Sequence, residues 1–148
     1  VAQIKEPRIL LKQYGIKAAF FLQYGYLGET MDDIQLTIGL LKETMPDDIG
    51  ISVSYPLPGT AFYDKVKQDL ILKTNWTDSD DLDMMFHNTY PSAFYKKLHR
   101  YTHYIYRFSK LKSDTLSLGK LARMMKYYFL EKYYGMKLQQ YVPIKPSV

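Results

Sequence analysis

Two short turns hold the residues of this sequence best suited to chemistry. One reads GYLGET at residues 25–30, after the apolar run FFLQY, and the other reads PLPGT at 56–60, after ISVSY. Gly25 and Gly28 would let a ligand approach the main chain closely, and amides at the start of the following helix attract negative charge. The same spacing suits a plain strand-to-helix turn with Glu29 at the favourable end of the helix dipole, and it falls short of a full phosphate-binding fingerprint. Alternate residues of a strand share a side, so Phe21 and Gln23 point one way while Ser52 and Ser54 form a polar pair on the second strand. Buried polar side chains need partners. A bound nucleoside would serve Gln23, Ser52 and Ser54, and packing between layers is the plainer alternative.

Two further sets of side chains could hold a cation. His99 and His103 stand four apart on a predicted helix, a spacing that brings two imidazoles to one metal. No catalytic glutamate stands beside His99, so a solvated or ring-stacked pair is the expectation. Asp78, Asp80, Asp81 and Asp83 could gather a hard cation, but they lack the glycine and closing glutamate of a calcium loop, which favours capping and surface ion pairs.

The elements that must carry these residues alternate. Pro7 suits a first helical turn, Ile9, Leu10 and Leu11 give that helix an apolar side, and Gly15 suits the left-handed position that ends it near Tyr14. The run IKAAFFLQY at 16–24, bounded by Gly15 and Gly25, predicts a strand buried on both faces. Thr30 and Asp33 predict a capping box, and Ile34, Ile38 and Leu41 line one face of a helix that stops by Pro46. DIGISVSY at 48–55 predicts a second strand, followed by a helical stretch with Phe62, Val66 and Leu70 on one side. Short connections of this kind imply parallel strands and right-handed crossovers. The acidic loop at 75–83 is expected to cap a helix at Ser79 or Asp80. Two more helices are predicted, at 92–112 with Phe94, Leu98, Ile105 and Phe108 as its stripe, and at 116–134, ended by Gly135. The fold class is α/β, the C-terminal part of a partial (β/α) barrel with two parallel strands, followed by a helical extension. The units run over 1–75, 76–135 and an extended or disordered tail at 136–148.

Composition narrows the function. The 148 residues are 47% hydrophobic and 24% charged, enough for one packed domain and unlike a disordered polymer. The absence of cysteine excludes disulfides, thiolate metal sites and a cysteine nucleophile within these residues. No apolar run has the length of a membrane span, and the start VAQIKEPR lacks the core of a secretion signal, so a cytoplasmic location is the default. The first residue is Val1 and helix-like sequence follows at once, as expected of a fragment. Residues 1–95 hold 8 Lys/Arg against 13 Asp/Glu, and residues 96–148 hold 12 against 2. A basic, tyrosine-rich half suits nucleic acid, an anionic membrane surface, or solvated helix faces docked on an acidic partner. The even spread of its cations favours the last, and the nucleic-acid signal is not strong.

Three segments, FFLQYGYLGETMDDIQLTI, PDDIGISVSYPLPGTAFYDKV and NWTDSDDLDMMF, resemble the back half of a radical S-adenosylmethionine domain. The resemblance covers about residues 8 to 110 and is nearest to the cobalamin-binding branch, which includes the anaerobic magnesium-protoporphyrin monomethyl ester cyclase and assorted methyltransferases. It implies a partial barrel whose early loop holds a four-iron four-sulfur cluster on C-x-x-x-C-x-x-C, and a 5′-deoxyadenosyl radical that takes hydrogen from a small-molecule substrate. None of those cysteines is present, so the resemblance implies that the cluster sits on a missing N-terminal part of the same chain, with cobalamin on a further domain. It assigns the adenosyl contacts to Gln23, Tyr24, Gly25, Gly28, Ser52, Ser54 and Tyr55. Leu27 stands where the family's turn usually has proline, which loosens the turn without abolishing it. A barrel cut in half would be inactive alone and open to self-association through exposed strand edges.

Overall fold

The computed structural model describes residues 2–71, 82–112 and 117–144. Its elements are α1 (Ala2–Gln13), β1 (Ala19–Tyr24), α2 (Met31–Thr44), β2 (Asp48–Val53), α3 (Ala61–Val66), α4 (Ser92–Leu111) and α5 (Leu118–Leu138). The architecture is mixed α/β. β1 and β2 pair in parallel, with Ala19 beside Asp48 and Gln23 beside Ser52. The ladder continues one step past the strand ends, where the Ser54 amide donates to the Tyr24 carbonyl at 2.7 Å.

One face of this sheet is the core. Leu22, Tyr24, Ile49, Ile51 and Val53 meet Ile34, Ile38 and Leu41 of α2 and Phe94, Leu98 and Ile105 of α4. The other face is open along β1, while Ser52 and Ser54 at the end of β2 are buried, which corrects the expectation that β1 is buried on both sides. Ala19, Phe21 and Gln23 are exposed, Phe21 at 76%. The Phe21 ring lies over Gly50, where a Cβ would come within 2.7 Å of it. The sequence of β1 is apolar on both sides, but no described element covers the second one.

Both strand-to-helix turns use the same device. Thr30 caps α2 in a complete capping box with Asp33, and Thr60 caps α3 by accepting from the Tyr63 amide. A glycine with positive φ precedes each cap, Gly28 at 79° and Gly59 at 84°. Thr30→Ala is expected to cost about 1 kcal/mol in urea unfolding. Thr60→Ala should cost less, because α3 has only six residues to lose. Equal costs would mean that the caps do not set these helix starts.

Four expectations need correction. α1 begins well before Pro7, which lies inside it, and Ile9 and Leu10 are exposed. Among its residues of described burial, the one α1 buries is Arg8, whose guanidinium donates to the Met45 carbonyl at 3.0 Å and pairs with Asp47 at 3.2 Å. α3 stops at Val66, so Leu70 leaves the helical stripe and forms an antiparallel bridge with Phe86. α5 runs through Gly135 to Leu138. A Cβ on Gly135 would sit 3.3 Å from the Tyr101 ring, so this glycine lets α5 approach α4 closely instead of ending the helix. The predicted tail is helical at its start and then tied back, the Ile144 amide donating to Thr89 at 2.9 Å. The expected cap at Ser79 or Asp80 lies outside the described residues.

Candidate functional site

The carboxyl ends of β1 and β2 lie side by side, at the spacing of about 4.8 Å that hydrogen-bonded strands keep. Their turns also meet, since Tyr26 stacks on Phe62 with ring centroids 4.8 Å apart. Of the seven residues singled out in the sequence, Gln23, Ser52 and Ser54 fall on the side of the sheet away from the core, where the β1 edge is exposed and the β2 end is covered. Gln23 is exposed and adjacent in register to Ser52, and both serines are buried. A primary amide beside two hydroxyls offers both donors and acceptors, the equipment a base edge and a sugar hydroxyl require.

Tyr24 and Tyr55 turn the other way. Tyr24 is fully buried, and its hydroxyl shares a hydrogen bond with Thr102 of α4 at 3.2 Å. Burial pushes its pKa up to about 12, so it stays a neutral phenol. Tyr55 packs half-buried against the same core. At this strand end the Tyr24 ring belongs to the core, and its carbonyl is taken by the Ser54 amide.

Gly25 joins the turn to the body. Its amide donates to the Glu29 carboxylate at 2.8 Å, and its carbonyl accepts from Asn88 at 2.7 Å. The Thr30 amide donates to Asp33 at 2.9 Å. These amides were expected to attract a ligand's negative charge, and the chain's own acids take them. Gly25 has φ 76°, and a Cβ there would meet the Met84 sulfur at 3.1 Å and the Tyr95 ring at 3.3 Å. Its bareness therefore serves close packing by the protein itself. Gly28, with nothing within 4 Å of a Cβ, faces open space.

Glu29 is the unusual group of the site. Burial raises its pKa to about 7, against a lowering by the Gly25 amide and a further rise from Asp33. Asn88, buried between Gly25 and Tyr95, had no signal in the sequence, because its partner carbonyl lies 63 residues away.

The other candidates resolve differently. The His99 and His103 rings touch edge to face at 4.4 Å, and burial, then His99 and Arg107, push His103 down to about 4. Among the described residues no three His, Cys, Asp or Glu side chains gather as a metal site. Asp83 pairs with Lys96 at 2.7 Å, while Asp78, Asp80 and Asp81 lie outside the described residues. Among the described residues no helix is long and apolar enough to cross a membrane.

No protein-family model matches this chain, and no curated protein matches it either.

Proposed function

We propose that this chain supplies the adenosyl-binding side of a radical S-adenosylmethionine enzyme, with Gln23, Ser52 and Ser54 as its nucleoside contacts. The observation that carries the reading is the register of exposed Gln23 beside buried Ser52, at the carboxyl ends of two parallel strands. Ligands of parallel α/β folds bind at that edge. In this reading the sheet is part of a (β/α) barrel wall, its open side is the lumen, and α4 and α5 form the extension over the substrate.

The cofactors fit unequally. The exposed Gln23 amide, with the Ser52 and Ser54 hydroxyls buried behind it, has the donors and acceptors an adenine nucleoside needs, and S-adenosylmethionine would supply the radical precursor there. An iron-sulfur cluster does not fit, since the sequence has no cysteine to ligate it. In this proposal the cluster belongs to residues beyond these 148, as does any cobalamin, and the chain alone performs no radical step. Cyclase and methyltransferase chemistry are equally compatible with it, and a cytoplasmic location accompanies it.

S-adenosylmethionine titrated into the labelled protein should shift the backbone NMR signals of residues 23–25 and 52–55. Gln23→Ala and Ser54→Ala should each weaken binding on the order of fivefold, about 1 kcal/mol for one lost hydrogen bond. Absent shifts, or shifts indifferent to both substitutions, reject the nucleoside site.

A further inference from the structure

α5 is mounted with its most apolar face outward. Toward α4 it turns Lys120, Tyr127, Glu131, Tyr134 and Leu138, of which Lys120 and Leu138 are buried. Leu118, Leu121, Met125, Phe129 and Met136 recur at helical spacing on the other side and are all exposed, Phe129 at 62%. A helix of a globular protein normally does the reverse.

The stripe is flanked by charge of one sign. Away from its α4 side, α5 carries Arg123, Lys126, Lys132 and Lys137 and no acid. Tyr128 and Tyr133 stand at its borders, also exposed. Beyond Tyr133 the surface sinks into a groove of about 270 Å³ between α4 and α5, lined by Lys96, Lys97, Arg100, Tyr133, Tyr134 and Lys137. Several of its cations rest on tyrosines. Lys97 donates to the Tyr141 hydroxyl at 2.5 Å, Arg100 donates to the Tyr134 hydroxyl at 3.1 Å, and Lys137 lies 5.7 Å from the centre of the Tyr133 ring. Lys96 is paired with Asp83.

We propose that α5 lies on the surface of an anionic phospholipid bilayer, with its Leu–Met–Phe stripe in the acyl boundary and lipid phosphates against the α4–α5 groove. The chemistry is that of an interfacial helix, apolar and aromatic on one side and basic beside it, and it needs no spanning segment. Charge selects this occupant over a second copy of the chain. Two α5 stripes packed on each other would bring two strongly basic helices together. An anionic surface neutralises the same cations, each of which strengthens attachment several-fold.

Flotation of the full chain with vesicles tests this without reference to S-adenosylmethionine. Vesicles of mixed phosphatidylcholine and phosphatidylglycerol should carry the protein up the gradient, and phosphatidylcholine alone should not. Phe129→Gln should weaken attachment about tenfold, and Lys137→Glu about fivefold or more. Both side chains are outside the core, and a thermal melt shows whether either variant has lost its fold. In that event the comparison of the two vesicle compositions with unaltered protein decides alone. Equal binding to both compositions, or none, overturns the proposal. So does release by inorganic phosphate beyond that by chloride of the same ionic strength, which would mark a site for free phosphate. A dimer in gel filtration that Phe129→Gln dissociates, without vesicle binding, assigns the stripe to a second copy and overturns it too.

Discussion

Replacing Gly25 with alanine is expected to cost on the order of 3 kcal/mol and to loosen the end of β1. Two effects combine. An alanine held at φ 76° carries left-handed strain of about 1–3 kcal/mol. Its Cβ would also stand 3.1 Å from the Met84 sulfur and 3.3 Å from the Tyr95 ring. Met84 can swing aside, but Tyr95 is fully buried against Phe94 and Tyr90 and cannot. If the backbone turns to relieve the strain, it breaks the amide bond to Glu29 or the carbonyl bond from Asn88. Gly28→Ala is the internal control. It has the same sign of φ and nothing near its Cβ, so only backbone strain of about 1–2 kcal/mol remains. Urea unfolding of the two variants should separate them by more than 1 kcal/mol. Equal losses would mean that the packing of Met84 and Tyr95 around Gly25 has no energetic weight.

The consequence reaches the site because Gly25 is two residues from Gln23. A turn anchored to Asn88 and Glu29 fixes the last residues of β1 against α4 and holds Gln23 in register with Ser52. The stack of Tyr26 on Phe62, with Phe62 edge-on to Phe86, ties this turn to the next one. Gly25, Asn88 and Phe62 therefore help to hold the polar trio in place.

Much of this was legible in the sequence, wherever a signal was local. The β-branched run at 49–53, the spacing of Ile34, Ile38 and Leu41, and the Thr30–Asp33 box each specify structure within a few residues. The parallel pairing followed from the short helical crossover between the strands. Signals that depend on a distant partner were not legible. Gly135 looks like a helix end, and only the Tyr101 ring of α4 explains why the helix continues through it. Ile9 and Leu10 look like a buried side, yet Arg8 is the residue fixed to the body, through Met45 and Asp47. Asn88 and the exposed face of β1 belong to the same class. A periodic pattern says which residues could be buried, while burial itself needs a covering element.

Glu29→Gln is expected to leave the fold intact and to change how stability depends on pH. Glutamine keeps an oxygen that can accept from the Gly25 amide, so the turn survives. The carboxyl of the native protein titrates near 7, above its ordinary 4.5, because burial disfavours its anion. The folded state thus holds this proton more tightly than the unfolded chain does. Its stabilising contribution is complete below about 4.5 and is lost as pH rises through 7, amounting to roughly 1–3 kcal/mol for a carboxyl still partly open to solvent. His103 works in the opposite sense. Its folded value near 4 lies below the ordinary 6.5, so its contribution is complete above 6.5 and is lost as pH falls through 4. Between these limits the two slopes oppose each other, and the native protein should show a shallow profile. Removing the Glu29 titration should expose the His103 slope, with the variant gaining stability as pH rises from 4.5 to 6.5 and exceeding the native protein at pH 8. Parallel native and variant profiles in urea unfolding would place the Glu29 carboxyl in water, and its bond to Gly25 would then no longer hold the strand end that carries Gln23.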